Sequence, residues 1–96
     1  METAVIYFRQ KENETIDDFI NSIENSKSLI KESYEIVAVI ADSYNDRSQL
    51  YSFINSPPTP NNIKVVILDS ITDDFDQRLI GEIARIENFS IYYFER

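Results

Sequence analysis

The chain reads as a small doubly wound α/β sandwich with a four-stranded, mostly parallel sheet and the element order β-α-β-α-β-α-β. Three observations predict this. Short β-branched or aromatic runs occur four times along the 96 residues. Between them lie segments whose apolar residues return at helical spacing. Strands that alternate with helices are joined by crossovers, which place helices on both faces of a parallel sheet. The length suits one domain, residues 1–96, and not two.

Residues 3–8 carry Ala4, Val5, Ile6, Tyr7 and Phe8 in a near-continuous apolar run, the pattern of a central strand covered on both faces. Lys11, Glu12, Asn13 and Glu14 form a polar loop. Thr15 with Asp18 three residues on is an acidic variant of the capping box, and it starts a helix over about residues 15–32. Ile16, Phe19, Ile20, Ile23 and Ile30 give that helix one apolar stripe. Residues 35–41 are a β-branched run that predicts a second buried strand, closed by the polar turn Asp42, Ser43, Tyr44 and Asn45.

Asp46, with Gln49 three residues later, caps a shorter helix through Leu50, Phe53 and Ile54. Residues 55–62, with three prolines and three asparagines, break both periods and predict a stiff connecting loop. Residues 63–68 read as a third buried strand. A helix follows with Asp73 and Asp74 in its first turn, where acids complement the helix dipole. Its expected stripe is Phe75, Leu79, Ile83 and Ile86. Residues 89–94 give a fourth strand at a sheet edge, where Tyr92, Tyr93 and Phe94 either pack under the last helix, the favoured reading, or leave room for pairing with a second copy or with a partner's strand.

Composition excludes much. The chain has no Cys and no His, which removes disulfide scaffolds, zinc fingers, thiol or histidine catalysis and any Ser-His-Asp triad. A single glycine, Gly81, leaves nothing from which to build a glycine-rich phosphate loop. Seventeen acids against nine bases give a net charge of -8, which repels phosphate backbones and argues against autonomous DNA binding. No stretch approaches the roughly 18–20 apolar residues of a membrane span, and no basic-then-apolar leader opens the chain, so a cytoplasmic location is expected. No motif implies a cofactor or a metal. The N-x-S/T triplets at Asn13 and Asn88 carry no weight in this setting.

In doubly wound sheets, ligands gather beyond the carboxyl ends of the strands where the strand order reverses. Those ends carry chemistry. The first strand runs into Tyr7, Phe8, Arg9, Gln10 and Lys11, the second into Asp42 and then Arg47, Ser48, Gln49 and Leu50, and the third into Asp69. This resembles the catalytic domain of the serine recombinases, the resolvase and invertase family. That family shows Y-x-R-x-S after its first strand, Asp and then R-P-x-L after its second, and D-R-x-x-R after its third. Tyr7, Arg9, Asp42, Arg47, Leu50 and Asp69 fall on family positions. The nucleophilic serine falls on Lys11, and the two later arginines fall on Ser70 and Asp73.

The family's serine attacks a DNA phosphate and its arginines stabilise the charge that builds there. Lysine cannot replace that serine, and an aspartate in an arginine's place reverses the local charge. The resemblance therefore implies a catalytically inactive, resolvase-like domain that acts through protein binding and regulates a recombinase or mobile-element protein. Tyr7, Arg9, Lys11, Asp42, Arg47, Asp69, Ser70 and Asp73 would be its vestigial site. An ordinary flavodoxin-like sandwich, in which Tyr7 packs on a helix and Arg9 neutralises Asp42 or Asp69, accounts for the same residues without ancestry.

Two other readings arise from the acids. Asp42 and Asp69 at adjacent strand ends could hold Mg2+ through oxygen ligands, but the first strand end supplies Arg9 and Lys11 where such sites place acids. Asp73, Asp74 and Asp76 form an acidic surface that could imitate phosphates. The alternative function is thus an acidic phage or prophage inhibitor of a DNA-processing or host-defence enzyme.

Overall fold

A computed structural model describes residues 1–55, 63–69 and 74–96. The elements are β1 (Glu2–Arg9), α1 (Ile16–Ile30), β2 (Tyr34–Asp42), α2 (Ser48–Asn55), β3 (Val65–Asp69), α3 (Asp74–Glu87) and β4 (Ser90–Phe94). All pairings are parallel, and the sheet order is β2-β1-β3-β4. The expected loop at 55–62 lies, beyond Asn55, outside the described residues, and so do Ser70 and Asp73.

The alternation of β1 divides the core into two layers. Ala4, Ile6 and Phe8 join Val65, Ile67 and Phe19 of α1 on one face. Val5 and Tyr7 join Val66, Leu68, Leu50 and Phe53 of α2 and Ile80 of α3 on the other. The sheet is therefore covered by one helix on one side and two on the opposite side. β1 is central, buried from Ala4 to Phe8, and a near-continuous apolar run is what a strand covered on both faces requires.

Local signals place the helix ends. Thr15 accepts the backbone N–H of Asp18 at 3.1 Å, as the capping pattern predicts. Asp46 accepts the Ser48 backbone N–H at the start of α2, while Gln49 and Leu50 donate theirs to Asp42, so two aspartates share the work expected of Asp46 alone. At the end of α3, Asn88 takes φ 63° and the Phe89 N–H returns to the Ala84 carbonyl, a left-handed cap in which Asn replaces the usual glycine.

Three expectations are corrected. β2 is an edge strand, not a buried one: Glu35, Val37, Val39 and Ala41 are exposed along it. A β-branched run looks the same at an edge as at the centre, because the run records strand propensity and not how many neighbours the strand has. On α1, Phe19 is buried and Ile23 and Ile30 are half-buried against β1, β3 and the first part of β2, whereas Ile16 and Ile20 face outward. On α3, Phe75 and Ile86 are exposed and the buried positions are Asp76, Ile80 and Ala84. The stripe is rotated by about one residue, which packs Ile80 into the core and brings Asp76 inward to two arginines.

Candidate functional site

The C-terminal ends of β1, β2 and β3 lie side by side, with Arg9 in register with Asp42 and Tyr7 in register with Leu68. Because β1 sits between β2 and β3, the connection from β2 to β3 crosses it, and the strand order reverses beside β1. Tyr7, Arg9, Asp42, Arg47 and Asp69 all converge here.

Tyr7 begins the network. Its ring fills the α2/α3 layer, and its hydroxyl donates to Asp42 Oδ2 at 2.7 Å while accepting from Arg9 Nε at 3.0 Å. Burial first, and then the hydrogen bond to Asp42, push the phenol well above its ordinary pKa, so Tyr7 stays protonated as a donor. Asp42 is buried and also accepts from two backbone N–H groups of α2, so both its oxygens are engaged in holding β2, β1 and α2 together.

The guanidinium of Arg9 turns away from Asp42 and Asp69 and toward α3. Its Nη1 donates to Asp76 Oδ2 at 2.9 Å, and Arg47 Nε reaches the same oxygen at 3.2 Å. Asp76 is completely buried. It is thus removed from the acidic surface that the sequence suggested for Asp73, Asp74 and Asp76; Asp74 is exposed. Burial works against the charge on Arg9, but hydrogen bonds to Asp76 and Tyr7 outweigh it and raise its pKa further. Arg9 Nη2 is buried with no hydrogen-bond partner among the described residues, so Asp76 satisfies the guanidinium incompletely.

A second cluster adjoins the first through Arg9 and was not legible from motifs. Arg96 is almost wholly buried beneath the loop that precedes α1. Its Nε donates to Asp69 at 2.8 Å, and Nη1 and Nη2 fork onto the two carboxylate oxygens of Glu14 at 2.8 and 3.1 Å. Nη1 also reaches Ser22 Oγ, Nη2 donates to the Arg9 carbonyl, and the guanidinium lies 5.1 Å from the Phe19 ring centre. Asp69 additionally accepts the Arg9 backbone N–H at 3.2 Å. One arginine therefore ties the end of β1, the end of β3 and the start of α1 to the residues after β4. A lone Arg following a strand has no spacing signature, which is why the pattern was silent.

Lys11 is exposed, and its ammonium donates to the Arg96 carbonyl at 3.3 Å. It does not join the Tyr7–Arg9–Asp76 network. Nor do Asp42 and Asp69 share a space for a cation: the first is bound to Tyr7 and the start of α2, the second to Arg9 and Arg96. Among the described residues no three acidic side chains gather as metal ligands.

The arginine fork beside Glu14 holds that carboxyl below its ordinary range, and it sets an acid-side prediction. A folded pKa lower than the unfolded one contributes stability above the unfolded value of about 4.3, and that stability is lost as pH falls through the folded value. Urea midpoints should therefore fall below about pH 4.3 more steeply in the native chain than in an Arg96→Gln variant. Parallel pH profiles would contradict the pairing.

The arrangement can therefore lock three strand ends and two helix starts in place, but both arginines at the strand ends face a carboxylate already in contact. No protein family, curated protein or solved structure matches the chain, so the serine-recombinase resemblance rests on the strand-end residues themselves.

Proposed function

We propose that the chain is a noncatalytic, resolvase-like domain that acts by binding another protein, a recombinase or another mobile-element protein. The observation that carries the noncatalytic half is the commitment of Arg9 and Arg47 to buried Asp76. Arginines that stabilise a developing phosphorane need an open, preorganised approach for the phosphate, and here a carboxylate of the same charge sign is already in place. Lys11 supplies no hydroxyl nucleophile, and its side chain points to a different partner. Tyr7, Arg9, Asp42, Arg47 and Asp69 lie in one small region, as the family reading requires. Exposed large apolar side chains, among them Ile16, Ile20, Phe75 and Ile86, support the protein-binding half.

Two experiments test it. Supercoiled plasmid incubated with the protein and Mg2+, then stopped with detergent, is expected to show no nicking and no covalent protein–DNA adduct; an adduct would overturn the noncatalytic half. Affinity capture from a nuclease-treated lysate of the encoding cells, at low and high salt, tests the partner. Retention of a recombinase or mobile-element protein at both salts is expected. A nuclease, restriction or defence enzyme held mainly at low salt would replace this reading with the acidic inhibitor, since salt screens a charge mimic.

A further inference from the structure

A guanidinium has five N–H donors, and every one of those on Arg96 has an acceptor of its own. Nε donates to Asp69 Oδ2 at 2.8 Å. Nη1 reaches Glu14 Oε2 at 2.8 Å and Ser22 Oγ at 3.1 Å, and Nη2 reaches the Arg9 carbonyl at 2.8 Å and Glu14 Oε1 at 3.1 Å. The Phe19 ring closes the pocket over the guanidinium carbon at 5.1 Å. Arg9, by contrast, leaves its Nη2 without a partner among the described residues. The walls of the Arg96 pocket come from the ends of β1 and β3, from α1 and from the loop before it. The side chain that fills it comes from outside the sheet. β4 pairs with β3 only as far as Phe94, Glu95 is exposed, and the Arg96 carbonyl takes the ammonium of exposed Lys11 at 3.3 Å. Residues 95–96 can therefore leave the pocket without breaking the ladder.

From this complementarity we infer that the pocket is an arginine-binding site, filled in the isolated chain by its own Arg96 and able to take an arginine side chain of a partner protein in its place. The ligand class follows from the acceptors. Glu14 presents two oxygens to the two terminal nitrogens, and Asp69, the Arg9 carbonyl and Ser22 take the remaining donors. An ammonium is a point charge with three donors, so it cannot meet both carboxylates, the carbonyl and the hydroxyl at once. The two carboxylate side chains are 14% and 3% exposed, so an emptied pocket keeps two desolvated negative charges and demands a cation. The polypeptide source follows from the rim. A guanidinium that is 2% exposed enters on a long side chain whose main chain stays outside, where Lys11 takes a backbone carbonyl. Arg96 competes from a short tether at high effective concentration, so an incoming arginine needs further contacts from its own protein to displace it. The identity of that protein rests on the protein-binding reading above; the chemistry of the pocket does not.

Removing the resident side chain opens the pocket to a probe. Arg96→Ala, titrated with N-acetyl-L-arginine amide to about 20 mM at constant ionic strength, should show a saturable rise in Tm of about 5 °C or more. The corresponding lysine amide should leave Tm unchanged, and Glu14→Gln in the same background should weaken the arginine amide about tenfold or more. If Arg96→Ala is unfolded by itself, the arginine amide should restore its far-ultraviolet circular dichroism through the same linkage. The native chain should need at least about tenfold more of the amide to shift the Ser22 and Phe19 resonances, because Arg96 competes. No rise or recovery with the arginine amide, an equal rise with the lysine amide, or indifference to Glu14→Gln would overturn the proposal. Free L-arginine binding about tenfold tighter than the amide would overturn the polypeptide source in favour of a small guanidinium compound. These measurements use the chain without a partner, so their failure leaves the plasmid and capture experiments to stand or fall separately.

Discussion

Replacing Asp76 by Ala is expected to cost about 3–5 kcal/mol of folding stability, because it leaves Arg9 charged, mostly buried and without its counter-ion. The arginine side chain is 16% exposed and the aspartate fully buried, so solvent can screen little of the loss. Arg47 is about one-third exposed, so solvent screens part of its share and Arg9 is the dominant contributor. For a domain of this size each kcal/mol lowers Tm by roughly 4–8 °C, so a drop beyond about 10 °C should be evident in a thermal melt. Asp76→Asn separates charge from shape: it keeps an acceptor but removes the counter-ion, and it should retain only part of the stability. Removing both charges, as in Arg9→Met with Asp76→Leu, should recover much of the loss, because an apolar pair has no desolvation cost to offset. If Asp76→Ala melts with the native protein, Asp76 is not the anchor described.

Arg96→Ala should be comparably damaging, by about 3–5 kcal/mol, although it substitutes a residue beyond the last strand. Its guanidinium is 2% exposed and touches Asp69, Glu14, Ser22 and the Arg9 carbonyl at once. Without it, the 3% exposed carboxylate of Asp69 loses the guanidinium that donates to it at 2.8 Å. Lysine at this position keeps the charge but cannot fork onto Glu14 while also reaching Asp69, so Arg96→Lys should fall between the native chain and the alanine variant. Denaturant unfolding of the three proteins checks the order. Equal stability of the lysine and native forms would mean that charge alone matters there.

These two residues also mark where sequence reasoning stops. The sheet and its central strand were legible because burial on both faces demands an unbroken apolar run, which residues 4–8 supply. Tyr7, Arg9, Asp42 and Asp69 were legible as a group because strand ends in a doubly wound sheet meet at the point where the strand order reverses, and Arg47 was added by the resemblance to the recombinase motif. Their partners were not. Asp76 reads as one of several acids in a helix start, where the dipole already explains an acid, and only the rotation of α3 shows that this one turns inward. The same rotation exposes Phe75, which the hydrophobic pattern would bury. Arg96 lacked any periodic context. The position of β2 at an edge depends on strand order, which periodicity along one segment does not encode.

The account turns on Asp76 as an internal anion that occupies the strand-end arginines. Titration of inorganic phosphate at constant ionic strength, followed through the Nε–H resonances of Arg9 and Arg47, tests it most directly. The native protein should show no saturable shift at either arginine up to about 10 mM, a level at which a working phosphate site would be filled, whereas Asp76→Asn should show a saturable shift at both. Saturable binding by the native protein at Arg9 and Arg47 would mean that the site is open to phosphate after all, and would contradict the noncatalytic reading at its base.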